Sequence, residues 1–251
     1  MQKQYAANEI LYQRMKAKGL RSLGQLNDPD KGRDITEHAE RFLTDALAQP
    51  WAPKGGRAIE LGCGTAPMLR WLCKRGFSGL GVDVSKTAIA MARAQSRGFD
   101  VRFRRADLCD LDAAKPGTFD LALDGHCLHC ITRPADRRGF LKTVHRLLTK
   151  DGVFIVLSMC APVDRKLFSK KHPGHRLVGH TLYVPFAQAG EYQGSRKIAG
   201  SVHAPIRYIG HWQSILVEIR KAGFHVQLVR YNAPQGDDPG GDLAVAALPA
   251  S

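Results

Sequence analysis

The sequence predicts an α/β fold in which a mostly parallel sheet is covered by helices. From Arg57 onward, apolar runs typical of buried strands alternate with amphipathic helical segments, as in a sheet built from strand–helix–strand crossovers. A glycine turn, Gly62-Cys-Gly64, separates the first apolar run from the first of these helices. Near the end of the chain, a link rich in turn residues over 232–241 joins two strand patterns and indicates an antiparallel hairpin.

Length and composition favour a soluble globular protein. The chain has 251 residues, enough for one domain with additions or at most two, and 44% of them are hydrophobic and 24% charged. No apolar run approaches about 18 residues, so we expect no membrane span. The N-terminus lacks the apolar core of a signal peptide, and six cysteines in a chain of this length are expected to be free thiols in a reducing cytoplasm.

The net charge of +14 is concentrated in one part of the chain. Residues 133–180 contain eleven Lys and Arg against three Asp, a net of +8. Such a basic region is consistent with a solvated surface, with an acidic small-molecule partner or with nucleic acid, and all three explanations stay open.

The predicted elements divide the chain into two parts. Residues 1–50 are predicted to form an N-terminal helical cap, with a helix over 8–16 and an amphipathic helix over 35–47. Tyr5, Tyr12 and Arg33 are candidates to reach a ligand from this cap. Residues 51–251 are predicted to form the main domain, with strands near 57–61, 79–83, 101–105, 119–124, 153–159, 224–231 and 243–248 and helices near 67–75, 85–97, 134–148 and 208–223.

The ends of the first three strands carry the residues that indicate a ligand site. Gly62 and Gly64 allow positive φ and a close approach of a ligand to the backbone. An acid lies at or just beyond the end of each strand, at Glu60, Asp83 and Asp107. Since the carboxyl ends of parallel strands share one edge, three acids there can surround a nucleoside that has no phosphates. A phosphate-binding loop is excluded, because no Lys-[Ser/Thr] follows the turn.

These motifs closely resemble those of the class I S-adenosylmethionine-dependent methyltransferases. The resemblance covers residues 56–159 and consists of Glu60-Leu-Gly-Cys-Gly-Thr-Ala66, Gly81-Val-Asp-Val-Ser85, Ala106-Asp-Leu108, Phe119-Asp-Leu-Ala-Leu-Asp124 and Leu147-Leu-Thr-Lys-Asp-Gly-Val-Phe154. It implies a Rossmann-like, doubly wound, seven-stranded sheet with the terminal hairpin at its edge. It also implies S-adenosylmethionine as cofactor. Ala66 stands where the family often has a third glycine.

The resemblance assigns roles to particular residues. It implies that Glu60 and the glycine turn hold the methionine part of the cofactor, that Asp83 bonds the ribose and that Asp107 bonds the adenine. The full set of expected cofactor contacts is Glu60, Gly62, Cys63, Gly64, Asp83, Val84, Asp107, Leu108 and Asp124.

The segment after the fourth strand, His126-Cys-Leu-His-Cys130, has three possible interpretations. It is a variant of a loop that the family often ends in Leu-His-His, with small apolar cysteines. Alternatively, one of the histidines is a general base for an O–H or N–H acceptor, with His129 as the first choice and His126 as the second, since an imidazole suits proton abstraction near neutral pH. The third interpretation is a metal or metalloid site, because both the histidines and the cysteines have ligand-like spacing. No metal is assigned.

Residues 160–207 interrupt the strand–helix alternation and show no clear period. In this family an insertion after the fifth strand often covers the substrate, so we expect a substrate lid here. Tyr12, Tyr192 and Arg207 are the expected acceptor contacts. The acceptor itself is expected between the 124–130 loop and this insertion.

The sequence therefore predicts methyl transfer to a nitrogen, oxygen or sulfur atom of a small molecule, of the kind found in specialised metabolism. Charge alone favours an RNA or DNA methyltransferase, against which the chain has no Asn/Asp-Pro-Pro-Tyr tetrad after the fourth strand. A metalloid or thiol methyltransferase and a non-catalytic, cofactor-binding subunit are further alternatives. The acceptor's identity and the oligomeric state stay open.

Overall fold

A seven-stranded sheet crosses the protein and is covered by helices on both faces. The computed structural model describes residues 1–27, 35–110, 117–236 and 239–250. In chain order the helices are α1 (Asn8–Ala17), α2 (Gly24–Asn27), α3 (Glu37–Ala48), α4 (Pro67–Cys73), α5 (Lys86–Gln95), α6 (Pro134–Leu147), α7 (Arg165–Lys171) and α8 (Trp212–Lys221). The strands are β1 (Gly56–Leu61), β2 (Phe77–Asp83), β3 (Val101–Arg105), β4 (Phe119–Gly125), β5 (Leu148–Val163), β6 (Arg176–Val178), β7 (Thr181–Pro185), β8 (Arg196–Ile198), β9 (Ser201–Tyr208), β10 (Phe224–Asn232) and β11 (Gly240–Pro249).

The order of the large sheet confirms the predicted fold class. Its strands run β10-β11-β5-β4-β1-β2-β3, with β3, β2, β1, β4 and β5 parallel and β11 antiparallel to both neighbours. In register, Ile59 of β1 lies opposite Leu80 of β2 and Ala122 of β4. The carboxyl ends of five strands therefore meet at one edge, and the terminal hairpin extends the sheet beyond β5.

Two apolar cores hold the helices against the sheet. One contains Phe140 and Val144 of α6 and Ile215 of α8, together with side chains of one sheet face. The other contains Phe42 of α3 and Leu69 of α4 on the opposite face. Burial of such side chains contributes about 1.5–3 kcal/mol each, so the helical stripes seen in the sequence are the main source of stability for the layers.

The insertion has more regular structure than its sequence indicated. It contains α7 and a second, antiparallel sheet with the order β6-β7-β9-β8. Two of its strands, Arg176–Val178 and Arg196–Ile198, have only three residues each and are mostly exposed. Strands this short and exposed have no buried face to impose an alternating apolar pattern, which explains why the sequence showed no period.

The N-terminal segment runs across the carboxyl edge of the large sheet. Main-chain hydrogen bonds join Gln2 to Glu191 and Gln193 of the insertion, at 2.9 and 2.8 Å. The Glu9 carboxylate accepts hydrogen bonds from the hydroxyls of Ser85 and Thr87 at the start of α5, both at 2.5 Å. These contacts tie the segment to both sheets. Arg33 lies outside the described residues, and no described helix is long and apolar enough to cross a membrane.

Candidate active site

The glycine turn after β1 packs too closely against its neighbours to carry side chains. Gly62 and Gly64 have φ of 66° and 53°, a conformation that glycine adopts without strain. A Cβ on Gly62 would lie 2.7 Å from the Cys127 sulfur, and one on Gly64 would collide with the Tyr12 hydroxyl. Both positions therefore require glycine, and both line a cavity at the end of β1. Cys63 between them is buried, and its N–H bonds Val82 O at 3.0 Å.

Asp83 joins this turn to the next strand. Its two carboxylate oxygens accept N–H groups from Gly64 at 2.9 Å and from Ser85 at 2.8 Å. Burial raises the pKa of this carboxyl above its ordinary value, although the two N–H donors oppose the shift. Asp83 thus fixes the turn and still borders a cavity with its remaining lone pairs.

Glu60 is buried beneath the start of α4. Its carboxylate accepts the N–H of Leu69 at 3.1 Å. Burial, opposed by this bond and by Arg70, raises the pKa of Glu60 to about 8. In the state described here Glu60 is therefore mostly protonated at neutral pH.

Two cavities follow the carboxyl edge and share one wall. The first, here called the Asp107 cavity, encloses about 130 Å³ and is lined by Asp83, Val84, Asp107, Leu108, His126 and Arg207 among others. The second, the Glu60 cavity, encloses about 200 Å³ and is lined by Ser22, Glu60, Gly62, Cys63, Gly64 and His126 among others. Both are also lined by Tyr12 and Gly125. Together they extend past the ends of β1, β2 and β3.

Two further polar groups border these cavities: Tyr5, a candidate from the sequence, and Ser22, which the sequence analysis did not identify. The Tyr5 hydroxyl donates to both oxygens of Asp107, at 2.8 and 2.7 Å, so the predicted adenine contact already has a partner. The buried Ser22 hydroxyl lines the Glu60 cavity and has no hydrogen-bond partner among the described residues. An unpaired buried hydroxyl is costly, so it indicates that a polar ligand group belongs there. A serine in a turn gives no signal of this in the sequence.

Asp124 differs from its predicted role as a cofactor contact. It is fully buried, and its carboxylate accepts the N–H groups of Cys127 at 2.5 Å and Leu128 at 2.9 Å. Neither cavity is lined by Asp124. The structure thus places it beneath the His/Cys loop, where it holds the turn that presents His126.

His126 lies where the two cavities meet. Its φ of 79° is unusual for a residue with a side chain. Burial, assisted by the positive charge of Arg207, lowers the pKa of His126 to about 4, so the ring is neutral. Its ring nitrogens have no hydrogen-bond partner in the described part of the chain. A neutral, unpartnered imidazole at a cavity wall can accept a proton.

His129 has a different geometry. It is buried, and its Nδ1 accepts the N–H of Met159 in β5 at 3.1 Å. Because Nδ1 is an acceptor and burial keeps the pKa well below its ordinary value, the proton lies on Nε2. In this state His129 offers a donor and no free lone pair. The structure therefore favours His126 over His129 as a base.

Arg137 of α6 holds the His/Cys loop in place and was not identified from the sequence. Its guanidinium donates to Leu128 O at 2.7 Å and Ile131 O at 3.2 Å, and it pairs with Glu218 of α8. The Arg137 side chain is 3% exposed and that of Glu218 32%. In the sequence Arg137 is one of many basic residues in 133–180, so nothing distinguished it.

We expect Arg137→Met to destabilise the protein, because two buried carbonyl oxygens lose their donor at roughly 1–3 kcal/mol each. Urea unfolding should show a lower midpoint, whereas Arg138→Met, which alters an exposed neighbour on the same helix, should not shift it. Equal midpoints for the two variants would contradict this role.

The three predicted acceptor contacts do not lie together in the structure. Arg207 and Tyr12 line the Asp107 cavity, and Tyr12 also lines the Glu60 cavity. Tyr192, in contrast, is buried in a small cluster with Ala7, Ala189 and Ala204 and borders neither cavity. The ring of Tyr192 instead anchors the N-terminal segment to the second sheet. Within the described ranges, no three His, Cys, Asp or Glu side chains converge as metal ligands would.

Comparisons of the sequence with known proteins find methyltransferases. Residues 59–156 match the family model described as a methyltransferase domain. A ubiquinone biosynthesis O-methyltransferase from Caulobacter sp. (strain K31) is 30% identical over 108 residues, 42% of this chain and 42% of that protein. The chain spans about half the length of the curated relatives it matches.

Solved structures share the fold over most of the chain. A methyltransferase from Methanosarcina mazei aligns with a TM-score of 0.63 at 17% identity, covering 82% of this chain and 98% of that one. The 1,6-didemethyltoxoflavin-N1-methyltransferase from Burkholderia thailandensis, with S-adenosylhomocysteine bound, aligns with a TM-score of 0.59 at 17% identity, covering 91% and 85%. At these identities the likeness shows the fold. Residues 59–156 thus match a methyltransferase domain, and the fold over most of the chain is similar to that of solved S-adenosylmethionine-dependent methyltransferases.

Proposed function

We propose that the protein transfers the methyl group of S-adenosylmethionine to a nitrogen, oxygen or sulfur atom of a small molecule. The observation that carries this proposal is the pair of joined cavities along the ends of β1, β2 and β3, bordered by a glycine turn and three strand-end acids. Two of the three proteins named above carry the names of a ubiquinone biosynthesis O-methyltransferase and a 1,6-didemethyltoxoflavin-N1-methyltransferase, which supports a small-molecule acceptor.

The residues around the cavities suit the parts of this cofactor. The methionine part would lie in the Glu60 cavity, where the unpartnered Ser22 hydroxyl and the Glu60 carboxyl are polar contacts. Asp83 would accept the ribose hydroxyls with the lone pairs that Gly64 and Ser85 leave free. The apolar side chains of Val84 and Leu108 would flank the adenine, with Asp107 at its edge.

The proposed chemistry needs few protein groups. When bound, S-adenosylmethionine supplies a methyl group on a sulfonium leaving group. The chain's own residues must align the acceptor, exclude water and remove the acceptor's proton where one is present. His126 is the proposed base, because its neutral ring has unpartnered nitrogens at the junction of the cavities. His129 would donate from Nε2, and Arg137 would position the loop that carries both histidines.

The raised pKa of Glu60 gives a test of the methionine placement. The positive ammonium of the methionine part would favour the Glu60 carboxylate, so binding at pH 7 should release up to one proton from a group with a pKa of about 8. Calorimetry in buffers of different ionisation enthalpy measures this release. It should disappear well above pH 8, where Glu60 is already ionised, and in Glu60→Gln. Binding at pH 7 without proton release would contradict the placement.

The proposed function itself is tested in two steps. Calorimetric titration with S-adenosylhomocysteine should show a single site per chain. Incubation with S-adenosylmethionine and candidate small molecules should then produce S-adenosylhomocysteine only when an acceptor is present. Absence of cofactor binding would exclude the proposal at the first step.

A further inference from the structure

A third cavity lies on the other half of the same sheet edge. This cavity, here called the Arg230 cavity, encloses about 250 Å³. It is bounded by the start of α3, the end of β5 and the adjoining ends of β10 and β11. Among its lining residues are Ala39, Leu157, Met159, Arg230, Asn232 and Ala244. His126 also lines it, and is the residue that the Asp107, Glu60 and Arg230 cavities have in common.

The strand order explains why this shared residue matters. The proposed cofactor contacts follow β1, β2 and β3, whereas the Arg230 cavity lies over β5, β11 and β10. Between these two halves is β4, and His126 follows it directly. A molecule in the Arg230 cavity would therefore lie on the β5 side of His126. Because Thr36 and His126 line both this cavity and the Glu60 cavity, the two cavities adjoin, and the molecule would meet the cofactor's methyl group beside the imidazole.

We infer that the Arg230 cavity is the acceptor site, and that its ligand is a small amphipathic molecule with a weakly acidic hydroxyl or ring N–H. This inference rests on the proposed function. It differs from the expectation drawn from the sequence, which placed the acceptor between the 124–130 loop and the insertion. Arg207, the insertion residue expected there, lines the Asp107 cavity together with Asp83 and Asp107 and does not line the Arg230 cavity.

The lining of the cavity sets the ligand class. Leu157, Met159 and Ala244 give an apolar floor. Around it, His38 and Asn232 have side chains with no hydrogen-bond partner among the described residues, and Arg230 pairs with Asp45 at 2.8 Å. The volume of about 250 Å³ lies slightly below the roughly 300–1,000 Å³ typical of small-molecule sites, so the ligand must be compact. An apolar floor with a polar rim fits a compact amphipathic molecule.

The proton that the acceptor must lose limits which chemical groups can react. On transfer, a bond forms from the acceptor atom to the methyl carbon, the carbon–sulfur bond breaks, and the acceptor's proton passes to His126. A neutral imidazole shielded from water is a modest base, so it suits the proton of a phenol, enol or ring N–H better than that of an alkyl alcohol. The Arg230 guanidinium, although paired with Asp45, would favour the negative charge that develops on such a group.

The test uses 4-nitrophenol, a weakly acidic phenol, as the probe. Its binding is measured by equilibrium dialysis with full-length protein saturated with S-adenosylhomocysteine. Ala244→Phe places a ring in the Arg230 cavity and should weaken probe binding by about tenfold or more. Asn232→Phe fills the same cavity from its rim. It is an independent test in case Ala244→Phe fails to fold. Val229→Phe adds a ring at an exposed neighbouring position and should leave probe binding unchanged.

The outcomes separate this inference from the proposed function. We expect both cavity-filling variants to keep the wild-type affinity for S-adenosylhomocysteine while losing affinity for 4-nitrophenol. Unchanged probe binding in both variants, or no saturable binding by the wild-type protein, would overturn the acceptor assignment and leave the cofactor site intact. Absence of S-adenosylhomocysteine binding by the wild-type protein would refute the proposed function instead.

Discussion

His126→Ala is expected to lower the rate of methyl transfer to an acceptor that must lose a proton by about 10²–10⁴-fold, the contribution of a well-placed general base. The affinity for S-adenosylhomocysteine should change little, because the cofactor's polar contacts are proposed to come from Ser22, Glu60 and Asp83. Single-turnover kinetics with calorimetry on the same preparations measures both quantities.

His126→Asn separates the lost base from a disturbed backbone. Asparagine tolerates the positive φ of this position better than alanine does, so it should preserve the loop. We expect the asparagine variant to be as slow as the alanine variant. Full recovery of the rate with asparagine would assign the effect to the loop conformation and contradict a role as base.

The pH dependence gives a second check on His126. Burial lowers its pKa to about 4, so falling pH should not protonate it until well below the ordinary imidazole value of about 6.5. The rate should therefore stay level as the pH falls through the range where a solvent-exposed histidine would titrate. An inflection near pH 6.5 that is absent from His126→Asn would show an exposed imidazole instead.

Asp83→Asn is the second variant with a large expected effect. The carboxylate accepts two main-chain N–H groups, from Gly64 and Ser85, in addition to the proposed ribose hydroxyls. An amide has one oxygen, so its NH₂ group would face one of the two N–H donors. Loss of charge-assisted bonds should weaken cofactor binding by roughly 1.5–3 kcal/mol, or about 10–150-fold.

A matched control exists in the same sheet. The Asp120 carboxylate of β4 also accepts a main-chain N–H, from Arg57 at 2.8 Å, but it borders neither cofactor cavity. Asp120→Asn should leave S-adenosylhomocysteine affinity unchanged in calorimetric titration. Equal losses in the two variants would indicate a general destabilisation, and an unchanged affinity in Asp83→Asn would overturn the placement of the ribose.

The ranking of the two histidines shows where the sequence was insufficient. From the sequence, His129 was the first choice as a base and His126 the second. Only the contact from Met159, thirty positions along the chain, fixes the His129 tautomer and leaves His126 as the better candidate. A tautomer depends on the hydrogen bond at one ring nitrogen, and no local pattern specifies which main-chain group will supply it.

The sequence by itself determined the fold class, the resemblance to methyltransferases and the sheet edge at which the glycine turn and the strand-end acids meet. Those properties follow from local rules: apolar periodicity sets strands and helices, and parallel strands bring their carboxyl ends together. Only the tertiary structure showed that Asp124 accepts hydrogen bonds from the His/Cys loop, that the Tyr5 hydroxyl donates to the Asp107 carboxylate and that Arg137 pairs with Glu218. The last two contacts join residues 102 and 81 positions apart. Tertiary structure also formed the Arg230 cavity, because its lining residues come from five segments of the chain and no local sequence pattern indicates that these segments meet.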